Sequence, residues 1–573
     1  MTNKQIAAAF KLLAALMELH GESPFKIKTY QNAVRTIEKS ALEFTTMNVE
    51  DILTMPGIGA AVGAKTRELL ETGQMQVLEA WIEKTPKGVI DMLQVKGLGP
   101  KKVKVIWEEL GIENLGELLY ACEENRLMLL KGFGEKTQNN IKDAILFYQD
   151  QAGQFLYAQV EELSEQLAIL LDQALAAYPG AKIRQVGAYK RQLPVIDQLQ
   201  WVTTLAATTL VDLFKSPDFA SCYPTTHQHE GGDEKMGNYL QLSSDKRPDL
   251  YFLTSVPSEA FEASCFYQNG SPEFIAAFME QYAAQLSPED YLEEQVFKKL
   301  QLSYIPTPQR EGVEVLTKAA RGALSPLIEV GDIKGIIHCH SRYSDGGQTL
   351  KEMAIAAKQK GFEYLMISDH SQSAGYAGGL KPARILEQHA EIAELNQSLA
   401  PFKIFKSIES DILRHGELDY SEDVLSSFDL VIASVHSVLK MDIEDATARL
   451  LKAIENPYTH ILGHMTGRLL LSRKGYPLHM DKILDACAAN KVVIEINANP
   501  RRLDIDWSWI PKALDKGILL SIDPDAHSIR GMEDIRYGVL AAQKGGLSAQ
   551  QNLSSYSLFE MEDFIKRAKL KLN

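Results

Sequence analysis

The chain has 573 residues, of which 45% are hydrophobic and 24% charged, and its formal net charge is −15. This composition is typical of soluble globular proteins, and the length predicts three or four domains. No apolar run is long enough to span a bilayer and the first residues lack a signal-peptide pattern, so we expect no membrane partner. The five scattered cysteines form no CxxC pair, which favours a reducing cytoplasm. The acidic balance argues against nonspecific nucleic-acid binding but leaves local DNA contacts open.

The first 150 residues are predicted to be nearly all helical, beginning with an amphipathic helix in residues 1–21. Three similar segments interrupt this region: MPGIGAAVGAK at 55–65, VKGLGPKKVK at 95–104 and LKGFGEKTQ at 130–138. A single G-x-G is most often an ordinary turn between helices, but three copies form an internal repeat. We interpret them as helix-hairpin-helix elements that bind a DNA backbone through the unpaired N–H groups at helix starts. The predicted DNA-binding residues are Gly57, Gly59, Gly97, Gly99, Lys101, Lys102, Gly132, Gly134 and Lys136.

After residue 150 the pattern becomes α+β, with a long helix predicted at 151–177 and four β-like runs, KIRQVGAY, QWVTTLAATT, YLQLSS and DLYFLTSV. A stretch rich in proline, glycine and charge, TPQREGVEV, precedes the last region. Residues 333–573 then alternate β runs with helices such as TLKEMAIAAKQKG. This alternation predicts a parallel sheet or barrel, whose functional groups gather at the carboxyl ends of the strands.

Candidate metal ligands follow the β runs of this last region. His338 and His340 alternate along a strand-like run at 333–340, so both imidazoles can face one ion. A single histidine of this kind is most often a solvent-facing or hydrogen-bonded loop residue. Nine candidates in this pattern instead predict a hydrolytic site for zinc, manganese or iron. The set is His338, His340, Asp345, His370, Glu409, His436, His464, Asp525 and His527.

These motifs together resemble those of bacterial family X DNA polymerases that carry a C-terminal PHP (polymerase and histidinol phosphatase) domain. HCHSRYSDGG, SDHS, IESDILRHGELDY, SVHS, GHMTGR and PDAH occur in the order found in that family. The resemblance implies an all-α helix-hairpin-helix N-terminal region, an α+β palm and thumb, and a distorted (β/α)7 barrel. The implied segments are a lyase-like domain at 1–80, a fingers-like domain at 81–150, a palm and thumb at 151–310, a linker at 311–332 and the PHP domain at 333–573.

In the PHP domain the resemblance implies up to three Mn2+, Zn2+ or iron ions. His338, His340, Glu409 and Asp525 would hold the first; Glu409, His436 and His464 the second; and Asp345, His370 and His527 the third. The catalytic nucleophile would be a metal-bound water, because paired cations lower the pKa of water toward 7. Ile336 replaces an aspartate that often precedes the first histidine, a change we interpret as tolerable. Arg468 and Arg501 or Arg502 are candidates to bind a substrate phosphate, with surface salt bridges as the alternative.

The polymerase segment departs from the family pattern of G-S-x-R-R followed by a D-x-D that holds two Mg2+ ions. In GAYKRQLPVIDQLQ, Gln198 and Gln200 replace both aspartates, and a register shifted by one puts Asp197 first but Leu199 second. Asp249 resembles the third carboxylate of the family, whereas Ala188 replaces a serine and Gln268 an aromatic residue. Because a neutral amide binds Mg2+ much more weakly than a carboxylate, we predict that the palm adds no nucleotides.

Lys65 matches the lysine that forms a Schiff base with an abasic sugar in lyase-active family members, and Lys26 and Tyr30 match phosphate-pocket positions. Ala61 replaces a further lysine, and an exposed helix lysine near DNA is the alternative interpretation.

We therefore expect a cytoplasmic, monomeric DNA-repair enzyme that acts on gapped, nicked or 3′-ended DNA. It would be a metal-dependent 3′-5′ exonuclease, with 3′-phosphatase or AP endonuclease activity as variants. The alternatives are an active gap-filling polymerase with Asp197 or Asp245 as palm carboxylates, a non-catalytic DNA-end-binding scaffold, and a small-molecule phosphatase.

Overall fold

The computed structural model describes residues 1–573 except 41–43, 48, 56, 96, 150–152, 215–218, 220–226, 234–236, 244–250 and 571–573. It divides into two compact units, Met1–Tyr148 and Gln149–Asn573. No helix in the described ranges is long and apolar enough to cross a membrane.

The first unit is helical, as predicted. Its helices are α1 (Asn3–Leu19), α2 (Pro24–Lys39), α3 (Val49–Leu53), α4 (Ala60–Thr72), α5 (Gln76–Glu83), α6 (Lys87–Met92), α7 (Pro100–Leu110), α8 (Leu115–Glu123) and α9 (Glu135–Gln149). Helix α1 starts with a capping box, in which the Thr2 hydroxyl accepts from the Gln5 N–H and the Gln5 side chain accepts from the Thr2 N–H. Its apolar face, which includes Phe10 and Leu13, lies in one buried cluster with Val103 of α7.

The second unit begins with a mixed sheet and helices. Its elements are β1 (Phe155–Leu156), α10 (Tyr157–Leu175), β2 (Ile183–Val186), α11 (Gly187–Lys190), β3 (Val195–Ile196), β4 (Leu199–Thr203), α12 (Ala207–Phe214), β5 (His227–Asp233), β6 (Gly237–Ser243), β7 (Tyr251–Ser255), α13 (Phe261–Gln268), α14 (Pro272–Tyr282), α15 (Glu293–Lys299) and α16 (Glu314–Ala320). The five-stranded sheet has the order β2-β4-β7-β6-β5, in which β4 and β7 are parallel and the other pairs antiparallel.

Two predicted β-like runs of this part are wrong in their second halves. The run at 200–209 ends as a strand at Thr203, whose side chain accepts from the Leu205 N–H, and α12 follows. Leu210 and Phe214 are both buried at helical spacing, and this apolar pair outweighs the β propensity of the preceding threonines. The run at 182–189 likewise ends at Val186, because Gly187 adopts a φ of +79° and opens α11. The predicted helix at 151–177 starts only at Tyr157, after β1, which pairs with β3.

The last part of this unit is a nearly closed barrel of seven parallel strands. Its elements are β8 (Gly335–Ile336), α17 (Leu350–Gln359), β9 (Tyr364–Ile367), α18 (Pro382–Leu399), β10 (Lys403–Asp411), α19 (Glu422–Leu425), β11 (Leu430–Ser434), α20 (Ile443–Ile454), β12 (Ile461–Leu462), α21 (Met480–Asn490), β13 (Val493–Asn497), α22 (Ile510–Asp515), β14 (Leu520–Asp523), α23 (Ile535–Lys544) and α24 (Leu558–Leu570). The strand order is β14-β13-β12-β11-β10-β9-β8, and a parallel bridge between Cys339 and Ala526 joins the two ends.

Alternate strand residues of the barrel belong to two separate clusters. Leu365 and Ile404 pack in the large core that includes residues of the surrounding helices, such as Met353. Tyr364 and Phe405 instead pack with Met561 and Ile565 of α24, in a smaller cluster. The smaller apolar cluster lies below the carboxyl ends of the barrel strands. The carboxyl ends of the strands are therefore left for polar side chains.

The predicted strand at 333–340 is shorter than expected. β8 covers only Gly335–Ile336, the chain bends at His338, and Cys339 resumes the pairing with Ala526. A Cβ on residue 335 would lie 2.1 Å from the Tyr364 ring, so a glycine is needed where the chain enters the barrel.

Candidate metal centre and nucleic-acid interface

The nine predicted ligands converge at the carboxyl ends of the barrel strands, and Glu409 lies at their centre. Its Oε1 is 2.9 Å from His464 Nε2 and 3.1 Å from His436 Nε2. Its Oε2 is 2.9 Å from His370 Nδ1 and 3.7 Å from His340 Nε2. Glu409 lies within β10, not after the end of its run, and it is buried. One carboxylate therefore faces histidines from several strands, as a ligand that bridges two cations must.

Two aspartates extend the cluster on either side. Asp525 Oδ1 is 3.0 Å from His340 Nε2 and 3.4 Å from His338 Nε2. Asp345 lies 3.4 Å from both His370 Nε2 and His527 Nε2. Asp525 and His527 follow β14, so the end of the barrel meets its beginning at this site.

The ligand atoms fall into three groups, each within 4.8 Å: His340, Asp345, His370 and His527; His338, His340 and Asp525; and His370, Glu409 and His436. This grouping differs from the implied division, because Glu409 is absent from the group of His338 and His464 is absent from the group of His436. His340 joins the group of Asp345, and His370 joins Glu409 and His436, although His464 also contacts Glu409. The number of groups equals the implied number of ions.

The residues present fit divalent cations. The buried Nε2 of His338 and Nδ1 of His340 make no hydrogen bond within the described part of the chain, and both ring nitrogens of His370 face carboxylates, Glu409 at 2.9 Å and Asp345 at 3.4 Å. Burial lowers the pKa of His340 to about 4 and that of His464 to about 3, whereas the charges of Glu409 and Asp411 raise the pKa of His436 to about 9 despite its burial. Neutral imidazoles with carboxylates form a donor set that suits zinc, manganese or iron.

Three polar residues that sequence reasoning missed contact the predicted ligands. Asp411 Oδ1 is 2.5 Å from His436 Nδ1, and Glu495 Oε1 is 2.9 Å from His338 Nδ1. Asn497 Nδ2 donates to Asp525 Oδ2 at 3.1 Å. Carboxylates on the far nitrogen of a ligating histidine fix its tautomer and orientation. Their sequence signal is a charged residue inside an otherwise apolar strand, as in VVIEIN at 492–497.

Two of the candidate arginines have different environments. The Arg468 guanidinium donates to the carbonyls of Arg502 and Leu503 and pairs with Asp506, so it holds the loop after β13. Arg502 is buried, with its Nε 3.9 Å from Asp525 Oδ2. The positive charge of Arg502 therefore adjoins the cluster of predicted ligands. Neither Arg468 nor Arg502 forms a fully exposed salt bridge, which was the alternative interpretation.

The three G-x-G segments of the first unit adopt one geometry. Gly57, Gly97 and Gly132 have φ angles of +85°, +94° and +90°. The next residue of each segment is buried and donates its N–H to the carbonyl three residues earlier: Ile58 to Met55 at 3.0 Å, Leu98 to Val95 at 3.0 Å and Phe133 to Leu130 at 3.1 Å. The second glycines, Gly59, Gly99 and Gly134, come directly before α4, α7 and α9. The internal repeat in the sequence is thus a repeat in the structure.

The predicted lysines differ in exposure. Lys101 and Lys136 are exposed, whereas Lys102 is half-buried, with its Nζ 3.4 Å from the Gly97 carbonyl and 5.8 Å from the centre of the Phe133 ring. Lys65 is also half-buried, and its Nζ lies 5.8 Å from the centre of the Tyr30 ring. Lys26 pairs with Glu22 at 3.0 Å on the surface.

At the predicted palm positions, the two glutamines contact each other and Gln200 lies against Gly187. Gln200 Nε2 donates to Gln198 Oε1 at 3.3 Å, and Gln200 Oε1 lies 1.8 Å from where a Cβ on Gly187 would stand. The Gly187 N–H donates to Asn269 Oδ1 at 3.2 Å. Asp197 is exposed just before β4, whereas Asp249 and Asp245 lie outside the described residues.

The loop after α11 is engaged with the barrel. Arg191 Nε donates to Glu311 Oε1 at 2.9 Å, and the same oxygen accepts from Lys544 of α23. The Lys544 ammonium also donates to the Arg191 carbonyl at 2.9 Å and lies 4.6 Å from the centre of the Trp507 ring. Burial lowers the pKa of Lys544 to about 8 despite the charge of Glu311. The Arg191 guanidinium therefore forms an ion pair with Glu311 inside the second unit.

Three family models match separate parts of the chain. A helix-hairpin-helix domain matches residues 1–75, a SAM-like helix-hairpin-helix tandem residues 89–145, and a PHP domain residues 337–499. The DNA polymerase/3′-5′ exonuclease PolX of Bacillus subtilis is 30% identical over 585 residues, which cover 99% of this chain and 100% of the relative. The chain belongs to the PolX family. The resemblance inferred from the motifs is thereby confirmed, as is the fold class.

Other relatives cover less than half of this PolX chain. A probable phosphatase of Thermoanaerobacter sp. (strain X514) is 25% identical over 253 residues, 42% of this chain and 98% of the relative. A probable phosphatase of Caldicellulosiruptor bescii is 30% identical over 165 residues, 28% of this chain and 63% of the relative. Family membership supports hydrolase or exonuclease activity at the PHP domain and DNA binding by the helix-hairpin-helix domains.

The exposed hairpin lysines lead to a prediction for DNA affinity. Replacing Lys101 and Lys136 by alanine should weaken duplex binding at all sequences, because each phosphate contact releases counterions. The slope of log K against log salt should become shallower by roughly one for each lysine. Fluorescence anisotropy at several salt concentrations measures this slope. Lys104→Ala is the matched control, because Lys104 lies on α7 with Lys101 but pairs with Glu108 at 3.5 Å. A salt slope that changes equally in Lys101→Ala and Lys104→Ala would contradict the assignment.

Proposed function

We propose that this PolX protein hydrolyses phosphodiester bonds in DNA at its PHP barrel and adds no nucleotides at its palm. One contrast carries the proposal. Nine histidines and carboxylates converge at one end of the barrel around Glu409. The two palm positions that would carry aspartates instead carry Gln198 and Gln200, which are hydrogen-bonded to each other. The chain thus concentrates cation-binding side chains at the first site and replaces them by neutral amides at the second.

At the barrel, the proposed ligands are the nine residues predicted from the sequence. Divalent cations, when bound there, lower the pKa of water and neutralise charge on phosphoryl oxygens. The side chains divide the remaining work. Glu409 joins neighbouring groups of ligands, and Arg502 adds a fixed positive charge beside Asp525, where it can attract and orient an anionic substrate.

The proposed substrate is a gapped, nicked or 3′-ended DNA, degraded in the 3′-to-5′ direction during repair. The helix-hairpin-helix segments support this choice, because a positive-φ glycine and an exposed helix start suit the approach of a phosphate backbone. We further propose that the protein acts as a monomer and is divided into the five segments predicted from the sequence. Removal of a 3′-phosphate and cleavage at abasic sites are further reactions that the same centre could perform.

A panel of labelled substrates tests this proposal. With Mn2+, a duplex carrying a recessed 3′-hydroxyl should yield a ladder of products shortened from that end. The same duplex ending in a 3′-phosphate, and one with an internal abasic site, separate the further reactions from exonuclease action. If p-nitrophenyl phosphate were hydrolysed while all the DNA substrates stayed intact, the small-molecule phosphatase alternative would be correct instead.

A further inference from the structure

β13 supplies none of the nine proposed ligands, yet its two inward polar side chains contact three of them. Glu495 Oε1 lies 2.9 Å from His338 Nδ1, and Glu495 Oε2 accepts from the backbone N–H of His464 at 2.6 Å. Asn497 Nδ2 donates to Asp525 Oδ2 at 3.1 Å and to Glu495 Oε1 at 3.2 Å. Both side chains are buried. We propose that Glu495 and Asn497 are positioning residues that hold His338, His464 and Asp525 in place for cation binding.

The chemistry of Glu495 fits this role better than that of a neutral side chain. A carboxylate only accepts hydrogen bonds, and three N–H groups converge on this one. When the His338 Nδ1–H donates to Glu495, a neutral His338 ring presents its Nε2 lone pair on the side of Asp525 Oδ1, 3.4 Å away, which is the tautomer that a metal ligand needs. A glutamine would turn one of its two ends into a donor and place it against another N–H.

Gly463 makes room for this carboxylate. A Cβ at position 463 would lie 3.0 Å from Glu495 Oε2 and 2.3 Å from Ser434 Oγ. The glycine thus leaves the space between Ser434 and Glu495 clear, and Glu495 Oε2 accepts from the N–H of the next residue, His464. Gly463 therefore leaves space beside the Glu495 carboxylate, whereas the His464 side chain contacts Glu409.

Cobalt binding to the full-length protein tests the inference. The metal-free protein, prepared with a chelator, is titrated with Co2+ while the d–d absorption is recorded, and affinity is measured by competition with the chelator. Glu495→Gln should weaken Co2+ binding about 10- to 100-fold and alter the d–d spectrum, because a residue that orients ligands affects both. Asp504→Asn is the matched control, since Asp504 is equally buried and accepts at 2.8 Å from the Thr466 hydroxyl. It should keep the wild-type affinity even if its unfolding temperature falls.

The inference rests on the proposed ligands, and the two ideas fail in different ways. Wild-type protein that binds no Co2+ would overturn the ligand assignment itself. Wild-type binding with an unchanged Glu495→Gln affinity and spectrum would overturn only the positioning role. If Glu495→Gln does not fold, Asn497→Ser decides, because it removes the Asn497 hydrogen bonds to Asp525 and Glu495 and leaves the Glu495 carboxylate in place; it should bind Co2+ about 10-fold more weakly, and unchanged binding would refute the inference.

Discussion

Replacing His340 and Asp525 together by alanine is expected to abolish the nuclease activity of this PolX protein. The two residues face each other at 3.0 Å, and His340 belongs to two of the three ligand groups. A divalent cation contributes several kcal/mol to stabilisation of a phosphoryl transition state, and each 1.36 kcal/mol is a factor of ten in rate. Loss of about 4 kcal/mol therefore predicts a decrease of about 1,000-fold. Release of labelled nucleotides by the purified variant in Mn2+ measures it.

A buried histidine outside the cluster is the control for this variant. His389 of α18 packs against Phe428, with ring centres 5.1 Å apart. His389→Gln should retain nuclease activity once folding is verified by circular dichroism. Activity that survives in the His340/Asp525 double variant would mean that a contaminant, or another site in the chain, cleaves the DNA.

Primer extension by the wild-type protein is expected to be absent, in Mg2+ and in Mn2+. The missing aspartates remove most of the negative charge that assembles a two-cation site, and the Gln200 side chain occupies the space beside Gly187. We expect extension at least about 1,000-fold below that of the Bacillus subtilis relative, because loss of cation binding costs several kcal/mol of transition-state stabilisation.

Asp249→Ala provides the critical comparison for the palm. This variant should leave both nuclease activity and any background extension unchanged, because a single carboxylate does not assemble a two-cation site. Extension by the wild-type protein that Asp249→Ala abolishes would establish an active palm and contradict the proposed division of activities.

Much of this architecture could be predicted from local patterns. The three G-x-G segments predicted the hairpin geometry because a positive φ at Gly57, Gly97 and Gly132 is a requirement that a glycine reveals directly. The candidate ligands could be found because each lies close to the carboxyl end of an apolar run, where parallel strands gather functional groups.

The remaining features depend on contacts between distant parts of the chain. Glu495 was missed because its partner His338 is 157 residues away, and no local spacing connects the two. Strand β4 (Leu199–Thr203) could not be separated from α12 by propensity, because burial of Leu210 and Phe214 determines the helix. The shortened β8 reflects barrel closure at Cys339 and Ala526, which the sequence of either strand alone does not show.

The most direct test of the central claim is one reaction that allows both activities. A 5′-labelled primer annealed to a longer template is incubated with wild-type protein, Mn2+ and all four deoxynucleoside triphosphates, and the primer length is followed on a sequencing gel. A hydrolytic barrel with a silent palm predicts products shorter than the primer and none longer. Primers that lengthen toward the end of the template would contradict it.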